Sequence, residues 1–412
     1  MGALTGYRVL DMSRVLAGPW CSQVLADLGA EVIKIERPRS GDDTRDWGPP
    51  WMKDDEGNPT REASYYQSAN RGKFSVALNI ASPEGQDLLR RMVAECDILI
   101  ENYKAGSLAK YGLDYETLSA INPGLVYCSI TGFGQTGPRA AEPGYDFIIQ
   151  GIGGLMSITG EKDDKPGGGP QKVGVAVADL MTGLYSTIAI EAALLSRAKT
   201  GKGQYIDMAL LDVQVATLCN QTQNYLASGK PPGRFGNAHA NIVPYQVFRA
   251  SDREFIIACG NDSQFASLCA AIGLPDLPKD PRFTRNSDRV VHRDEIGAIL
   301  SAHFLTGTTD EWISKIHPSG VPVGAINDIA HALDEPQVRA RNMLVNIPHA
   351  LNRDFMTVGS PINLSDTPVE YPRAAPMLGE HTDDLLRRLA GMDDAALDAL
   401  KARGIVEQHE QG

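Results

Sequence analysis

The sequence predicts an α/β fold built on a parallel sheet, joined to a smaller second domain. Three observations predict it. Short β-branched runs alternate with helix-like stretches over the first third of the chain, the pattern of βαβ units. Capping and turn residues stand at the joints between them. The texture then shifts near residue 226, where SGKPPGRFGNAHANIVPYQ reads as a linker. A chain of 412 residues has room for two to three domains, at roughly 150 residues each.

The elements follow in order. Tyr7 to Asp11 reads as a strand, and Pro19 to Leu28 as a helix ended by Gly29. Glu31 to Glu36 is the next strand. The stretch 39–67 is polar, rich in Gly and Pro and carries Trp47 and Trp51; a loop of that length is expected to serve function. Phe74 to Asn79 is a strand, after which Ser82 at the N-cap and Pro83 start a helix through Ala94. Asp97 to Glu101, a helix from about Ser107, and Leu125 to Ile130 continue the alternation. A second long loop covers 161–171. Val173 to Ala178 reads as an apolar strand leading into a helix from Asp179 to Ala198, and Gln204 to Leu210 as the next strand. Beyond 226, residues 244–249 and 254–259 form an expected hairpin, with helices to about 318. Leu378-Gly379-Glu380-His381-Thr382 opens the terminal helices. The expected domains are 1–225, 226–330 and 331–412, with no internal repeat.

Composition narrows the function. Hydrophobic residues make up 42% and charged residues 22%, a foldable mixture. The net charge of −12 argues against nucleic acid, which needs a basic surface to release counterions. The six cysteines are scattered, as expected for reduced thiols in a cytoplasmic protein. Arg8, Asp11 and Arg14 interrupt what would be a signal peptide, and no run of 18 apolar residues predicts a membrane span. The eight histidines show no metal-ligand spacing, so no metal is expected. Motifs of serine hydrolases and P-loop enzymes are missing.

Three features carry possible chemistry. Gly132-Phe133-Gly134-Gln135-Thr136-Gly137 matches G-x-G-x-x-G after a strand. A dinucleotide site also needs a following helix, and Pro143 and Gly144 break any helix that Pro138 opens. A glycine-rich strand exit that lets a ligand approach the backbone, or a plain turn, fits as well. Asp179 lies where an apolar stretch meets a helix. It is either an N-cap or a carboxylate available as nucleophile or base. Arg37, Lys104 and Lys110 follow predicted strands, where open α/β sheets bind ligands, so together they suit a phosphate-bearing, nucleotide-like ligand. Solvated surface charge is the plain alternative.

Ordered segments along nearly the whole chain resemble class III CoA-transferases, the CaiB/BaiF family. They include Val9-Leu10-Asp11, Ala17-Gly18-Pro19, Asp27 to Pro38, Gly41-Asp42-Asp43-Thr44-Arg45 and Asn70-Arg71-Gly72-Lys73. Glu101-Asn102-Tyr103, Ile130 to Pro138, Gly144-Tyr145-Asp146, Thr200 to Gln204, Ile242 to Gln246 and Leu378 to Thr382 complete the set. The resemblance implies a Rossmann-like large domain made from both chain ends, an inserted small α+β domain, and a homodimer of interlocked rings. It implies Asp179 as nucleophile. Implied CoA contacts are Leu16, Ala17, Arg37, Leu78, Asn79, Ile80, Ala81, Asn102, Tyr103, Lys104, Lys110, Thr131, Gly132, Phe133 and Gly134.

Leu16 and Thr131 stand where the formyl-CoA branch has glutamine and lysine, and Gly236 to His239 occupies the region of its glycine-only loop. The pattern is closer to members that handle succinyl-CoA and dicarboxylic acids, glutarate included. Tyr145 replaces the histidine of the racemase branch. The implied reaction passes CoA from an acyl-CoA to a carboxylic acid through an aspartyl-CoA thioester, with CoA arriving as part of the substrate and no permanent cofactor. Arg45, beside Trp47, is the first candidate for a second substrate carboxylate, and His239 the second; an ion pair of Arg45 with Asp42 or Asp43 is the alternative. Glycine segments 132–137 and 233–237 are candidates for oxyanion donors. The rival functions are an α-methylacyl-CoA racemase, a silent CoA-binding protein and an NAD oxidoreductase.

Overall fold

The computed structural model describes residues 1–409. It begins with β1 (Arg8–Asp11), α1 (Ala17–Asp27), β2 (Glu31–Glu36), β3 (Trp51–Lys53), β4 (Pro59–Ala63), α2 (Ser64–Ser68), β5 (Lys73–Leu78) and α3 (Pro83–Ala94). Then come β6 (Ile98–Glu101), α4 (Tyr115–Ile121), β7 (Val126–Thr131), α5 (Asp146–Ile152), α6 (Leu155–Ile158), α7 (Val177–Thr200), β8 (Tyr205–Ala209) and α8 (Leu210–Thr217). Later strands are β9 (Tyr245–Arg249), β10 (Glu254–Ala258), β11 (Val323–Ala325), β12 (Leu344–Asn346), β13 (Met356–Val358) and β14 (Val406–Glu407).

Seven strands form one sheet in the order β14-β5-β2-β1-β6-β7-β8. Every neighbour pairs parallel except β14, which runs antiparallel to β5. Alternation along β1 explains the two covered faces. Leu10 packs with α3 and the terminal helices Thr382–Ala390 and Asp394–Ala402, while Val9 packs with α1 and α7. The chain reverses its direction of growth between β1 and β6, the place where open α/β sheets leave a crevice. Helix α7 is long and apolar enough to cross a membrane by composition. It instead buries Ile190, Ala193 and Leu194 in the second of these cores.

The chain divides into two compact units. The first contains Met1–Leu155, Val173–Gln223 and Gln337–Gly412, and so the seven-stranded sheet. The second contains Met156–Lys172 and Asn224–Pro336, whereas the sequence reading places the small domain at 226–330. In this unit β9, β10 and β11 form an antiparallel sheet over a core of Phe248, Phe255, Phe265, Phe283, Phe304 and Trp312. Arg289 is fully buried there, bound to the Val243 carbonyl at 2.6 Å and to Asp262 at 2.8 Å.

Two expectations about local structure change, and a third holds. The stretch 39–67 holds a 3-10 turn at Asp43–Asp46, the β3–β4 hairpin and α2 rather than one open loop. Residues 173–176 do not form a strand, because Val173 gives its N–H to the Gln150 side chain instead of a neighbouring strand. No helix follows the glycine motif. Gly134 and Gly137 take φ of +85° and +93°, and Asp207 accepts the Gln135 N–H, so the segment is a turn without the helix that a dinucleotide site needs.

Candidate active site

A cleft of about 250 Å³ opens at the carboxyl ends of β1, β6 and β7 in the first unit. Its walls are the exit from β1 (Arg14 to Ala17), the exit from β6 (Asn102 to Ala105), the exit from β7 (Ile130 to Gly132) and residues 140 and 142–145. Asp179 stands in it on the first turn of α7.

Glycines set this geometry. A Cβ on Gly132 would lie 2.5 Å from the Gly144 Cα, and the reverse holds equally, so the β7 exit and the turn into α5 meet backbone to backbone. That contact delivers Asp146 to the start of α7. Asp146 Oδ1 accepts the N–H of Ala178 at 2.8 Å and of Asp179 at 3.4 Å. Its Oδ2 accepts from Gln150 Nε2 at 2.7 Å, and Gln150 in turn holds Val173. On the other side, a Cβ on Gly183 would lie 2.7 Å from the Ala17 carbonyl. Helices α1 and α7 therefore touch one turn past Asp179.

The N-cap reading of Asp179 does not hold. Ala176 is the N-cap, and the capping is done from α5 by Asp146. The Asp179 carboxylate is thereby left free of local backbone bonds. Burial, and after it the neighbouring charge of Asp146, push its pKa from 3.8 up to about 7. Tyr65 faces the same group: burial first, then the charges of Asp179, Asp146 and Asp42, raise its hydroxyl pKa. A half-buried carboxylate with raised basicity and no committed donor is a competent nucleophile. The described residues contain no group of three or more His, Cys, Asp or Glu arranged to hold a metal ion.

Known proteins resemble this chain over nearly its whole length. The model of CoA-transferase family III matches residues 4–382. The chain is a class III CoA-transferase. A succinate–glutarate CoA-transferase from Agrobacterium fabrum is 49% identical over 95% of this chain and 97% of that one. A human succinyl-CoA:glutarate CoA-transferase is 42% identical over 99% of this chain and 90% of that one. The crystal structure of a CaiB/BaiF family protein from Brucella suis superposes with a TM-score of 0.82 at 49% identity, over 94% of this chain and 99% of that one.

The transferase brings many of the residues named from sequence to one edge of its sheet. Leu16, Ala17, Asn102, Tyr103, Lys104, Thr131, Gly132 and Asp179 line the cleft. Phe133 and Gly134 continue the β7 exit, with the Arg139 guanidinium 4.2 Å above the Phe133 ring. Arg37 is exposed directly after β2, Leu78 ends β5 with Asn79, Ile80 and Ala81 following, and Lys110 lies on the turn after β6. These stand on the same carboxyl edge, outside the cleft lining.

Arg45 is a correction. It is buried, not in the cleft, and its donors are occupied. Nε and Nη2 bind Glu36 at 2.8 and 2.9 Å, Nη1 reaches Glu62 at 3.3 Å, and Nη2 also meets the Tyr66 hydroxyl at 2.7 Å. Neither Asp42 nor Asp43 is its partner; those pair with Lys34 and Arg14. Trp47 is 44% exposed and meets the Tyr65 ring edge-on at 5.1 Å. Gly236 and His239 belong to the second unit. There Gly236 (φ +58°) lies against the Glu161 carboxylate and His239 against the Tyr245 ring. Sequence reasoning gave no role to Asp146, Arg14 or Tyr65. The one available signal for the first was an acidic residue at a helix start with glutamine four residues on.

Proposed function

We propose that this transferase moves CoA from succinyl-CoA to a dicarboxylate, glutarate first, with Asp179 as the covalent carrier. The observation that carries the reading is the Asp179 carboxylate itself, placed in the cleft, uncapped and held basic beside Asp146. The names of the relatives support the substrates. Besides the glutarate enzymes they include an acetyl-CoA:oxalate transferase of Acetobacter aceti at 40% identity and a succinyl-CoA:mesaconate transferase of Haloarcula marismortui at 39%.

Asp179 attacks the thioester carbonyl. The C–S bond breaks, CoA thiolate leaves and a mixed anhydride remains. The thiolate attacks the Asp179 carbonyl, expelling the donor acid and leaving aspartyl-CoA. The acceptor carboxylate attacks that thioester, giving a second anhydride and free thiolate. Thiolate attack on the acceptor acyl carbon yields the new acyl-CoA and restores Asp179. Each covalent state of Asp179 is neutral, so its formation relieves the repulsion from Asp146 and the cost of burial together.

Arg14 and Lys104 are the cations lining the cleft. Arg14 leans on the Tyr103 ring and has a buried Nε without a partner, which suits it to the acceptor's second carboxylate. Arg37 and Lys110 are left for the phosphates of CoA, and His239 remains a candidate on the second unit. The apolar exposed residues Phe147, Ile148, Ile152, Leu184, Tyr185 and Ile188 on α5 and α7 suit burial against a second copy, in the interlocked arrangement.

The test is CoA exchange over a panel of acyl-CoAs and acids, read by mass spectrometry. D179A should be inactive, and hydroxylamine should tag Asp179 in the wild type only after exposure to acyl-CoA. Glutarate should outrun butyrate as acceptor, and R14Q should narrow that gap. Preference for butyrate refutes the dicarboxylate assignment; turnover by D179A refutes the carrier.

A further inference from the structure

Val15 takes φ +70°, a left-handed conformation that a β-branched side chain rarely adopts. It is no accident of a loose loop, because every neighbour is pinned. The Arg14 N–H donates to Asn102 Oδ1 at 2.8 Å, and Asn102 Nδ2 returns a bond to the Arg14 carbonyl at 2.7 Å. The Ser13 carbonyl accepts Lys34 Nζ at 2.9 Å. The Val15 N–H itself faces both oxygens of Asp42, each at 3.2 Å.

Asp42 is immobile for reasons of its own. It pairs with Lys34 at 2.9 Å, both side chains being fully buried. It also caps its own turn, accepting the Thr44 N–H at 2.9 Å and the Thr44 hydroxyl at 2.8 Å. Its own N–H is bound to Glu36 at 3.1 Å. Burial works against its charge, yet Lys34 and the Thr44 donors outweigh it and lower its pKa to about 2. The carboxylate is therefore ionised wherever the enzyme works.

The consequence reaches the cleft. Val15, Leu16 and Ala17 form one wall of it, and α1 begins at Ala17, in contact with α7 through Gly183. We propose that Asp42 is a positioning residue for acyl transfer: by holding the Val15 N–H it keeps this turn left-handed and so fixes the Leu16–Ala17 wall against Asp179. Were Val15 to relax to negative φ, the wall would swing while Asp179 stayed put on its helix. The inference rests on Asp179 as the carrier, and the variants that test it all keep Asp179, so failure of the one reading stays distinguishable from failure of the other.

Four variants decide it: V15G, V15P, D42N and D42N/V15G. Folding is checked by thermal melting and gel filtration, and kcat/KM is measured with succinyl-CoA. Proline cannot reach φ +70° and lacks the N–H, while the Lys34–Asp42 pair stays untouched; glycine adopts the conformation without strain. V15P should fall roughly 100-fold below V15G. D42N should lose about tenfold, and adding V15G should recover at least roughly threefold, since glycine holds the left-handed turn with less help. An Asp42 that serves only stability gives no such rescue, because glycine at 15 does nothing for an unpaired buried lysine. If D42N fails to fold, V15P against V15G settles the matter. V15P activity close to that of V15G overturns the proposal, and so does a folded D42N that V15G does not improve.

Discussion

Asp146→Asn isolates the electrostatic part of the activation proposed for Asp179 as nucleophile. Asparagine keeps an oxygen for the Ala178 N–H, now accepted at 2.8 Å, and removes the charge. Burial contributes first and Asp146 second to the rise of the Asp179 pKa from 3.8 to about 7. Asp146 therefore supplies less than half of that rise, and losing its charge should lower the Asp179 pKa by about 1. The other groups around Asp179 are Tyr65 on α2, Tyr145 beside α5, and Arg14, Lys104 and Glu142 on the cleft walls; the variant leaves all of them in place. In the proposed mechanism only ionised Asp179 attacks the thioester, so wild-type kcat/KM should climb with pH to a plateau, half-complete near 7. In D146N the midpoint should move to lower pH by about one unit. The plateau should fall roughly threefold if half of the lost basicity is felt in the transition state. The two profiles then cross: the variant is ahead below pH 6 or so and behind above 8, by roughly these factors. The assay is kcat/KM for acyl-CoA across pH at constant ionic strength. A parallel drop at all pH values, with an unmoved midpoint, refutes the electrostatic role and leaves Asp146 as a cap alone.

Three further outcomes are expected. Asp179 has a folded pKa above its unfolded one, so its ionisation opposes folding: the penalty is absent below the unfolded value near 3.8 and complete above about 7. D179N should thus melt a few degrees higher than wild type at pH 8 and at almost the same temperature near pH 4, as roughly scaled from linkage; equal shifts at both pH values count against the raised pKa. R45A strands buried Glu36 and should cost about 3–5 kcal/mol in urea unfolding; a stable R45A with altered acceptor preference returns Arg45 to the substrate site. R37A should weaken every acyl-CoA by about 1.5–3 kcal/mol without reordering acyl groups; a changed order places Arg37 at the acyl end, and binding titrations decide.

The sheet was legible because β1, β2, β5, β6 and β7 are short β-branched runs separated by cap and glycine signals, and those signals are local. The Asp179 position was legible as a strand-to-helix junction only by an error that compensated itself: residues 173–176 are no strand, yet the helix does begin there. What stayed hidden depends on contacts far apart in sequence. Asp146 meets Ala178 and Asp179 only because Gly132 and Gly144 press together, and no periodicity announces that. Arg45 misled for a related reason. Its partners are Glu36 at the end of β2 and Glu62 on β4 of the hairpin, whereas the acidic neighbours nearest in sequence, Asp42 and Asp43, turn to Lys34 and Arg14.

The strands themselves divide the labour. In β1 the residues Val9 and Leu10 feed the two cores, and Asp11 at the exit is fully buried against Lys73 at 3.2 Å. In β2 the apolar run is interrupted by Lys34 and closed by Glu36, which bind Asp42 and Arg45. These ions are costly to bury, and apolar replacements would serve stability as well or better. Their placement is not random: except for Lys73, which opens β5, they stand at or just beyond the carboxyl ends of β1 and β2, next to the β1 exit that walls the cleft. Lys34 holds Ser13, Asp42 holds Val15, and Glu36 holds Arg45 within the loop that carries Trp47. An apolar core could fix where those loops start but not the direction of their N–H and carbonyl groups, since dispersion is non-directional. Charged hydrogen bonds can, and the proposed carrier, which passes through three covalent states before it is restored, needs walls that return to one geometry every time. The buried charge is best understood as serving position rather than stability.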